Sequence, residues 1–189
     1  MFDALLAADG ALRAWFTTHH TAWLDVLMLA LSSVGQAGTV WIILGAVATV
    51  EQPRRAGRLW QLILAIALAY VLVDLVLKPA FARSRPFEAL LHVRVVGSWR
   101  PVTYSFPSGH ACSAFAGAWV LSLMWQRVAA LVWALAALIA FTRIYIGVHY
   151  PLDVLAGALL GLGVGALVTG GRAWYIDRSS LRISAPQGP

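Results

Sequence analysis

Long apolar runs separated by short polar segments dominate the chain. Six such runs cover residues 20–34, 37–50, 59–77, 108–125, 128–145 and 151–170. A helix needs about 20 mainly apolar residues to cross a bilayer, and three of the runs meet or nearly meet that length. The pattern therefore predicts an all-α, polytopic membrane protein with about six transmembrane helices. The first two runs are short and are interrupted near Gly35 and Gly38, so a single tilted or re-entrant pair is the alternative there.

The two ends of the chain differ from the apolar runs. Residues 2–16 place apolar side chains at helical spacing with Asp9 and Arg13 between them, which is typical of an amphipathic helix at the membrane interface. The same residues lack the features of a removable signal peptide. The polar residues 171–189 are expected to form a cytoplasmic tail of a single domain that spans 1–189, a length that suits one domain.

Composition agrees with a membrane protein. Of the 189 residues, 60% are hydrophobic and only 12% are charged, whereas about 25% are charged in a typical soluble domain. The net charge is +6, but the basic residues are dispersed over short loops. That distribution argues against nucleic-acid binding and favours phosphates and membrane lipids as partners. The single cysteine, Cys112, excludes an internal disulfide and a cysteine-based zinc site, and we expect it to be a packing residue.

The arginines indicate an orientation in the membrane. If the N-terminus is cytoplasmic, six helices place most of the loop arginines on the cytoplasmic side, as the positive-inside rule requires. That cytoplasmic set is Arg13, Arg54, Arg55, Arg58, Arg127, Arg172, Arg178 and Arg182. The outer face then carries Arg83, Arg94 and Arg100, together with three polar segments of unusual composition.

These three segments stand at the ends of apolar runs. They contain Lys78, Arg85 and Pro86, then Pro107, Ser108, Gly109 and His110, and finally Arg143, His149 and Asp153. Ionisable residues within a membrane protein's apolar segments are costly and are functional by default. Lysine, arginine and histidine side chains together suit the binding and transfer of a phosphate group.

The middle segment lies where a polar loop becomes a helix. Ser108 can cap this helix, and Gly109 leaves backbone N–H groups free at its positive end, where phosphate binds readily. His110 in the first turn can exchange a proton with a bound phosphate. A capped helix with an incidental histidine is the alternative for this segment taken alone.

The third segment pairs His149 with Asp153, four residues later. A helical turn would place both on one face, and the carboxylate would fix the imidazole tautomer and leave the other ring nitrogen as a nucleophile. Arg143 supplies a guanidinium fork suited to phosphate oxygens. The alternative is a buried pair that only stabilises the end of the helix.

Lys78 is the only lysine in the chain. Asp74 precedes it by one helical turn and is expected to hold its ammonium group in a salt bridge. Taken alone, Lys78 could simply extend from the helix end to the membrane surface. Its occurrence together with the other basic residues favours phosphate binding.

Several other polar residues are ambiguous. His19 and His20 are adjacent and point apart, so an interfacial position is favoured over a metal site. Asp25 lies within an apolar run and either lines the site or caps a neighbouring helix. Another set lies in the outer loop and either binds a second phosphate or headgroup or is solvated beside anionic lipid: Arg83, His92, Arg94 and Arg100.

The three segments carry a family resemblance. Lys78-x6-Arg85-Pro86, Pro107-Ser108-Gly109-His110 and Arg143-x5-His149-x3-Asp153 resemble, in order, the signature of the type-2 phosphatidic acid phosphatase family. The match spans residues 78–153, and the hydrophobic pattern is similar to that of the family's six-helix membrane members. Thr142 stands where many members have serine, which retains a hydroxyl group.

The resemblance implies a role for each residue. His149 would attack phosphorus and form a phosphohistidine, with Asp153 orienting the ring, and His110 would protonate the leaving oxygen. The phosphate oxygens would be held by Lys78, Arg85, Ser108, Gly109 and Arg143. Three fixed cations would replace a magnesium ion, so neither a metal nor a cofactor is expected.

A lipid phosphatase on the outer face of a bacterial plasma membrane is the leading functional hypothesis. We favour undecaprenyl pyrophosphate as the substrate, with phosphatidylglycerophosphate, phosphatidic acid and lipid A as alternatives. The superfamily also includes soluble vanadate-dependent haloperoxidases, which the six apolar runs contradict. A lipid-binding or transport protein without catalysis would need neither His110 nor the pair of His149 and Asp153.

Overall fold

A computed structural model describes residues 2–90 and 93–170, and within these residues the chain is built from helices without a β-strand. The helices are α1 (Phe2–Thr18), α2 (Ala22–Val34), α3 (Thr39–Glu51), α4 (Leu59–Tyr70), α5 (Lys78–Phe81), α6 (Pro86–Ala89), α7 (Gly109–Met124), α8 (Ala129–Tyr145) and α9 (Pro151–Val168). The tail predicted at 171–189 lies outside the described residues. The all-α prediction is confirmed.

The segments that are individually long and apolar enough to cross a membrane are fewer than the six helices predicted from the sequence. Within the described residues, three qualify by length and composition: Pro53–Ala89, Gln126–Tyr145 and Pro151–Val168. Helices α2 and α3 pass the same test only together, as a pair bent at the intervening turn, which is the alternative raised by Gly35 and Gly38. Helix α7 is apolar but shorter. A polytopic membrane protein is confirmed, whereas the count of six remains a prediction.

Helix α7 lies at the centre of the bundle. It packs against α3, α4, α8 and α9, and most of its side chains are buried. Its interior consists mainly of alanine, glycine and serine, which let neighbouring helices approach closely. Cys112 is fully buried in this core, as predicted for a packing residue. The start of α7 therefore has a fixed position relative to the helices around it.

A strip of small residues on α9 makes the closest of these contacts. The sequence predicts such a strip, because Gly157, Gly161 and Gly165 recur every four residues. A Cβ atom at Gly157 or Gly161 would overlap a backbone carbonyl oxygen of α7, and one at Gly165 would meet Trp119 at 2.6 Å. The backbones of α7 and α9 are thus packed directly against each other, and the predicted strip is confirmed.

Gly161→Ala is expected to destabilise the protein by about 1–3 kcal/mol, because the added methyl group must push two helices apart. Gly163→Ala is the matched control, since it lies on the same helix with open space at its Cβ. That control should be neutral or slightly stabilising, as alanine favours helix by about 1 kcal/mol over glycine. Thermal unfolding in detergent measures both, and equal unfolding temperatures would contradict the close packing.

Helix α1 places its polar side against the protein. The predicted helix is confirmed over Phe2–Thr18, and it packs on α8 and α9. Asp9 and Arg13 are only 4% and 6% exposed, whereas Leu12 and Trp15 are 48% and 59% exposed. Leu12 and Trp15 thus face outward, whereas Asp9 and Arg13 contact the bundle and Phe16 packs against Phe141 of α8.

Helix α4 continues into a π-helical segment, Val71–Leu77, which leads directly into α5. The backbone N–H of Lys78 donates to the carbonyl of Val73, five residues earlier. Such π segments change the face on which the following residues lie and often occur at functional sites. Here both Asp74 and Lys78 line the same cavity.

Candidate active site

Several chain segments converge on one cavity at one end of the bundle. The cavity has a volume of about 580 Å³ and lies between α3, α4, α7 and the loops that precede α7 and α9. Six of the eight predicted site residues line it: Lys78, Arg85, Gly109, His110, Arg143 and His149. Ser108 and Asp153 are fully buried behind its wall. The structure therefore brings together residues that are up to 75 positions apart in sequence, from Lys78 to Asp153.

His149 has one ring nitrogen that is suited to attack. Its Nε2 lies 3.2 Å from Nη1 of Arg85, which can only donate, so Nε2 must be the unprotonated nitrogen. Its Nδ1 then carries the proton and lies 3.4 Å from Oδ2 of Asp153, a long contact. Burial lowers the pKa of His149 to about 3, so the ring is neutral and its lone pair is available.

The pair of His149 and Asp153 forms in a different way from the one predicted. Helix α9 begins at Pro151, so His149 lies in the preceding turn and shares no helical face with Asp153. Asp153 caps the helix, because its Oδ2 accepts a hydrogen bond from the backbone N–H of Tyr150 at 2.9 Å. The helix start therefore holds the carboxylate beside the imidazole.

Two further side chains hold the Asp153 carboxylate. Ser105 donates its hydroxyl to Oδ2 at 2.5 Å, and Arg83 donates Nη1 to Oδ1 at 2.6 Å. Neither was assigned this role from the sequence. Arg83 was expected in the outer loop beside a headgroup or solvent, but its side chain is directed at Asp153 instead. Ser105 has no motif of its own, and its only signal is its place two residues before Pro107.

Arg85 is buried, and its guanidinium group donates to backbone carbonyls as well as to the Thr103 hydroxyl and Nε2 of His149. It donates to the carbonyl groups of Thr103, Val148 and Tyr104 at 2.6, 2.8 and 3.2 Å. These bonds join the loop before α7 to the turn that carries His149. Arg85 thus fixes the position of the imidazole as well as placing positive charge in the cavity.

Lys78 is buried at the cavity wall, with 6% exposure. Its Nζ lies 2.5 Å from Oδ1 of Asp74, which confirms the predicted salt bridge, and 3.2 Å from the Thr103 hydroxyl. The alternative, in which the lysine extends to the membrane surface, is excluded by this burial.

The start of α7 follows the predicted cap. Ser108 is the N-cap, and its hydroxyl accepts a long hydrogen bond of 3.4 Å from the backbone N–H of Ala111. Its own backbone N–H donates to the Asp153 carbonyl at 2.9 Å, which ties α7 to α9. Gly109 and His110 in the first turn line the cavity. The hydroxyl of Ser108 faces the helix, so the structure leaves Gly109 and His110 as the groups presented to a ligand.

Arg143 lies in the last turn of α8 and is 3% exposed. Its Nη1 donates to the Ser32 hydroxyl of α2. It lines both the main cavity and an adjoining recess of about 380 Å³. The hydroxyl of the preceding Thr142 donates to the Ile139 carbonyl at 2.6 Å, so it serves α8 and does not face the cavity.

The remaining candidates that the structure describes lie away from the cavity. Asp25 accepts hydrogen bonds from His20, Tyr145 and Arg94 at 2.9, 2.8 and 3.0 Å, so it joins α2, α8 and the outer loop and does not line the site. His19 bonds the Trp15 carbonyl. Arg100 donates to its own loop, and His92 lies outside the described residues. In the described part of the chain, no cluster of histidine, cysteine or carboxylate side chains is arranged to hold a metal ion.

Known proteins are similar to this chain in sequence and in architecture. A family model described as the PAP2 superfamily matches residues 58–176. An undecaprenyl-diphosphatase of Sulfolobus acidocaldarius is 36% identical over 144 residues, which cover 74% of this chain and 66% of that protein. A decaprenylphosphoryl-5-phosphoribose phosphatase of Mycobacterium tuberculosis is 35% identical over 140 residues, which cover 73% and 75%. The crystal structure of Aquifex aeolicus LpxE superimposes with a TM-score of 0.72 at 32% identity, and the match covers 85% of this chain and 93% of that one.

The matched range contains all three polar segments of the sequence. The resemblance drawn from those segments is therefore confirmed by a match over more than half of the chain. Relatives with phosphatase and diphosphatase names agree with a cavity lined by lysine, arginine and histidine. The chain belongs to the PAP2 superfamily and is a membrane-embedded phosphatase or diphosphatase.

Proposed function

We propose that the protein removes the terminal phosphate of undecaprenyl pyrophosphate, without a metal ion, at the outer face of a bacterial inner membrane. The observation that supports this proposal is the two-sided nature of the cavity. One side carries Lys78, Arg85 and Arg143, which suit a diphosphate. The other side is apolar and is formed by α3 and α4, through Ile42, Ile63, Ile66, Ala67 and Tyr70. A ligand that fills both sides has a phosphate head joined to a hydrocarbon tail.

The names of two relatives support a polyprenyl tail, because these proteins act, by name, on undecaprenyl or decaprenyl lipids. A polyprenyl diphosphate has no other headgroup, so the terminal phosphate can enter the cationic side while the tail remains at the apolar wall. Phosphatidylglycerophosphate and lipid A carry larger head groups, whereas phosphatidic acid carries a single phosphate on a diacylglycerol. All three serve as comparison substrates.

The proposed reaction has two steps, which the site geometry allows. Nε2 of His149 attacks the terminal phosphorus, the bond from phosphorus to the bridging oxygen breaks, and protonated His110 gives its proton to that oxygen. Water then attacks the phosphohistidine, His110 takes a proton from it, and inorganic phosphate leaves. Lys78, Arg85 and Arg143 stabilise the charge that spreads over the phosphate oxygens in both steps. A bound phosphate also favours the protonated form of His110 before the first step.

The distribution of arginines supports the outer position of the site. The cavity lies where α7 begins, and Arg55 donates to the Leu123 carbonyl at the other end of that helix. Sixteen helical residues separate these ends by about 24 Å. Further arginines lie close in sequence to Arg55 or to the end of α7: Arg54, Arg58 and Arg127. The positive-inside rule therefore assigns this end of the bundle to the cytoplasm.

The proposal is tested by phosphate release from purified protein in detergent with EDTA. Undecaprenyl pyrophosphate is compared with phosphatidylglycerophosphate, phosphatidic acid, lipid A and phenyl phosphate. The expected result is release in EDTA with the highest kcat/KM for undecaprenyl pyrophosphate. A higher value for another lipid would overturn the substrate, and restoration by magnesium of activity that EDTA removes would overturn the metal-free mechanism.

Ala67→Trp should narrow the apolar side of the cavity. We expect kcat/KM for undecaprenyl pyrophosphate to fall about tenfold, which corresponds to ~1.4 kcal/mol of lost transition-state binding. Phenyl phosphate has no tail and should be hydrolysed as before. The control is Leu68→Trp, because Leu68 is the next residue of α4, is exposed and does not line the cavity. Equal losses with both substrates would show that α4 does not receive the tail.

A further inference from the structure

Arg83 connects the candidate catalytic carboxylate to the N-terminal helix. Its Nη1 lies 2.6 Å from Oδ1 of Asp153, and its Nη2 lies 2.8 Å from Oδ2 of Asp9 on α1. Both carboxylate side chains are fully buried, whereas Arg83 is 24% exposed. One guanidinium group therefore bridges two buried carboxylates that are 144 positions apart in the sequence, 9 and 153. Breaking such a bridge leaves an uncompensated buried charge, so it is maintained strongly.

Two additional contacts fix the geometry of this bridge. The second oxygen of Asp9 accepts a hydrogen bond from the backbone N–H of Leu152 at 2.8 Å, at the start of α9. The guanidinium carbon of Arg83 lies 3.9 Å from the ring centre of Tyr150. Stacking on an aromatic ring and donation to two carboxylates use the planar form of arginine, which lysine cannot reproduce. Asp9 and Arg83 thus hold the first turn of α9 from two sides.

We propose that Arg83 and Asp9 are positioning residues for the reaction and that α1 is consequently part of the catalytic unit. Their action passes through Asp153, whose carboxylate must stay directed at Nδ1 of His149. None of Asp9, Arg83 and Asp153 lines the cavity. Arg83 therefore does not bind the phosphate, although its charge alone would have suited that role. This inference rests on the proposed function, in which His149 is the nucleophile.

The geometry distinguishes positioning from general support of the fold. The long contact of 3.4 Å between Nδ1 of His149 and Oδ2 of Asp153 leaves little tolerance for further displacement. Misplacement of a catalytic group by about 1 Å can reduce a rate by about 100-fold. Loss of the bridge should therefore lower kcat and leave phosphate binding unchanged.

The test compares four variants in detergent: Asp9→Asn, Arg83→Gln, the double variant and Arg94→Gln. Arg94 is the matched control, since it pairs with Asp25 in the outer loop and does not line the cavity. For each variant we measure kcat, the inhibition constant of inorganic phosphate and the unfolding temperature. We expect kcat to fall about 100-fold in Arg83→Gln and about tenfold in Asp9→Asn, with the phosphate constant unchanged. Because Asp9 acts partly through Arg83 and partly through the backbone N–H of Leu152, the loss in the double variant should be smaller than the product of the two single losses.

Two outcomes would overturn the proposal. Folded variants that keep the normal kcat would exclude positioning, and a weaker phosphate inhibition in proportion to the loss of kcat would assign Arg83 to phosphate binding. If Arg83→Gln does not fold, Asp9→Asn alone carries the test, because it keeps the size of the side chain. His149→Ala is measured in parallel. Activity in that variant would refute the proposed function, whereas an inactive His149 variant beside a normal Asp9 variant would refute only this inference.

Discussion

Replacing His149 by alanine is expected to reduce phosphate release by roughly 10⁴-fold or more, because removal of a nucleophile leaves only binding and charge stabilisation. The neutral Nε2 of His149 faces the cationic side of the cavity next to Arg85. Among the histidines in the described residues, His110 also lines the cavity, but it lies on α7 and has the role of acid in the proposed reaction. The loss should appear in kcat for every substrate.

Oxygen-18 exchange between inorganic phosphate and water tests whether His149 is the nucleophile without requiring a lipid substrate. A phosphohistidine forms reversibly from inorganic phosphate with release of water, so the wild-type protein should exchange oxygen-18 between phosphate and water. His149→Ala should abolish this exchange. His19→Ala is the control, because this exposed histidine bonds a backbone carbonyl in α1 and lies outside the cavity. Continued exchange in the His149 variant would assign the attack to another group or to water itself.

Asp153→Asn is expected to have the second-largest effect, a loss of about 10⁴-fold in kcat, as for the aspartate of a serine-protease triad. Three donors converge on the two carboxylate oxygens: Arg83, the Ser105 hydroxyl and the Tyr150 backbone N–H. An asparagine amide has only one accepting oxygen, so at least one donor would face its NH₂ group. The resulting unsatisfied buried group should also cost about 1–3 kcal/mol of stability.

Asp25→Asn is the matched control for that variant. Asp25 also accepts three hydrogen bonds, from His20, Tyr145 and Arg94, but it lies outside the cavity. The Asp25→Asn substitution should therefore lower the unfolding temperature and leave kcat unchanged. Phosphate release and thermal unfolding are measured for both variants. Equal retention of kcat in the two would show that the Asp153 carboxylate has no part in the reaction.

The basic and histidine residues of the cavity were largely predictable, because they occur at the ends of apolar membrane helices. Ionisable groups are costly there and are usually functional. Lys78 and Asp74 were paired correctly from a spacing of four within one helix. The same spacing also predicted the contact between His149 and Asp153, but not its origin, because a helix start lies between them. Pro151 was the available signal that the helix begins after His149.

The supporting residues could not be found in this way. Asp9, Arg83 and Ser105 lie on separate segments. Only tertiary packing brings Arg83 and Ser105 to Asp153 and Asp9 to Arg83. Asp9 was also concealed by the amphipathic pattern of 2–16, which predicts that charged residues face the membrane surface. The helix has the predicted period, but hydropathy does not specify which side faces the protein when lipid surrounds the apolar side.

The direct contact between α7 and α9 has a consequence for how such proteins diversify. Gly109 and His110 begin one helix, His149 and Asp153 flank the start of the other, and their backbones are joined at Ser108. The apolar wall of the cavity belongs instead to α3 and α4, through residues such as Ile42 and Ala67. Substitutions in that wall can change the accepted tail while the reacting groups keep their spacing. Under the proposed function, lipid selectivity can therefore evolve or be redesigned through the walls of α3 and α4, while α7 and α9 hold the reacting groups in place.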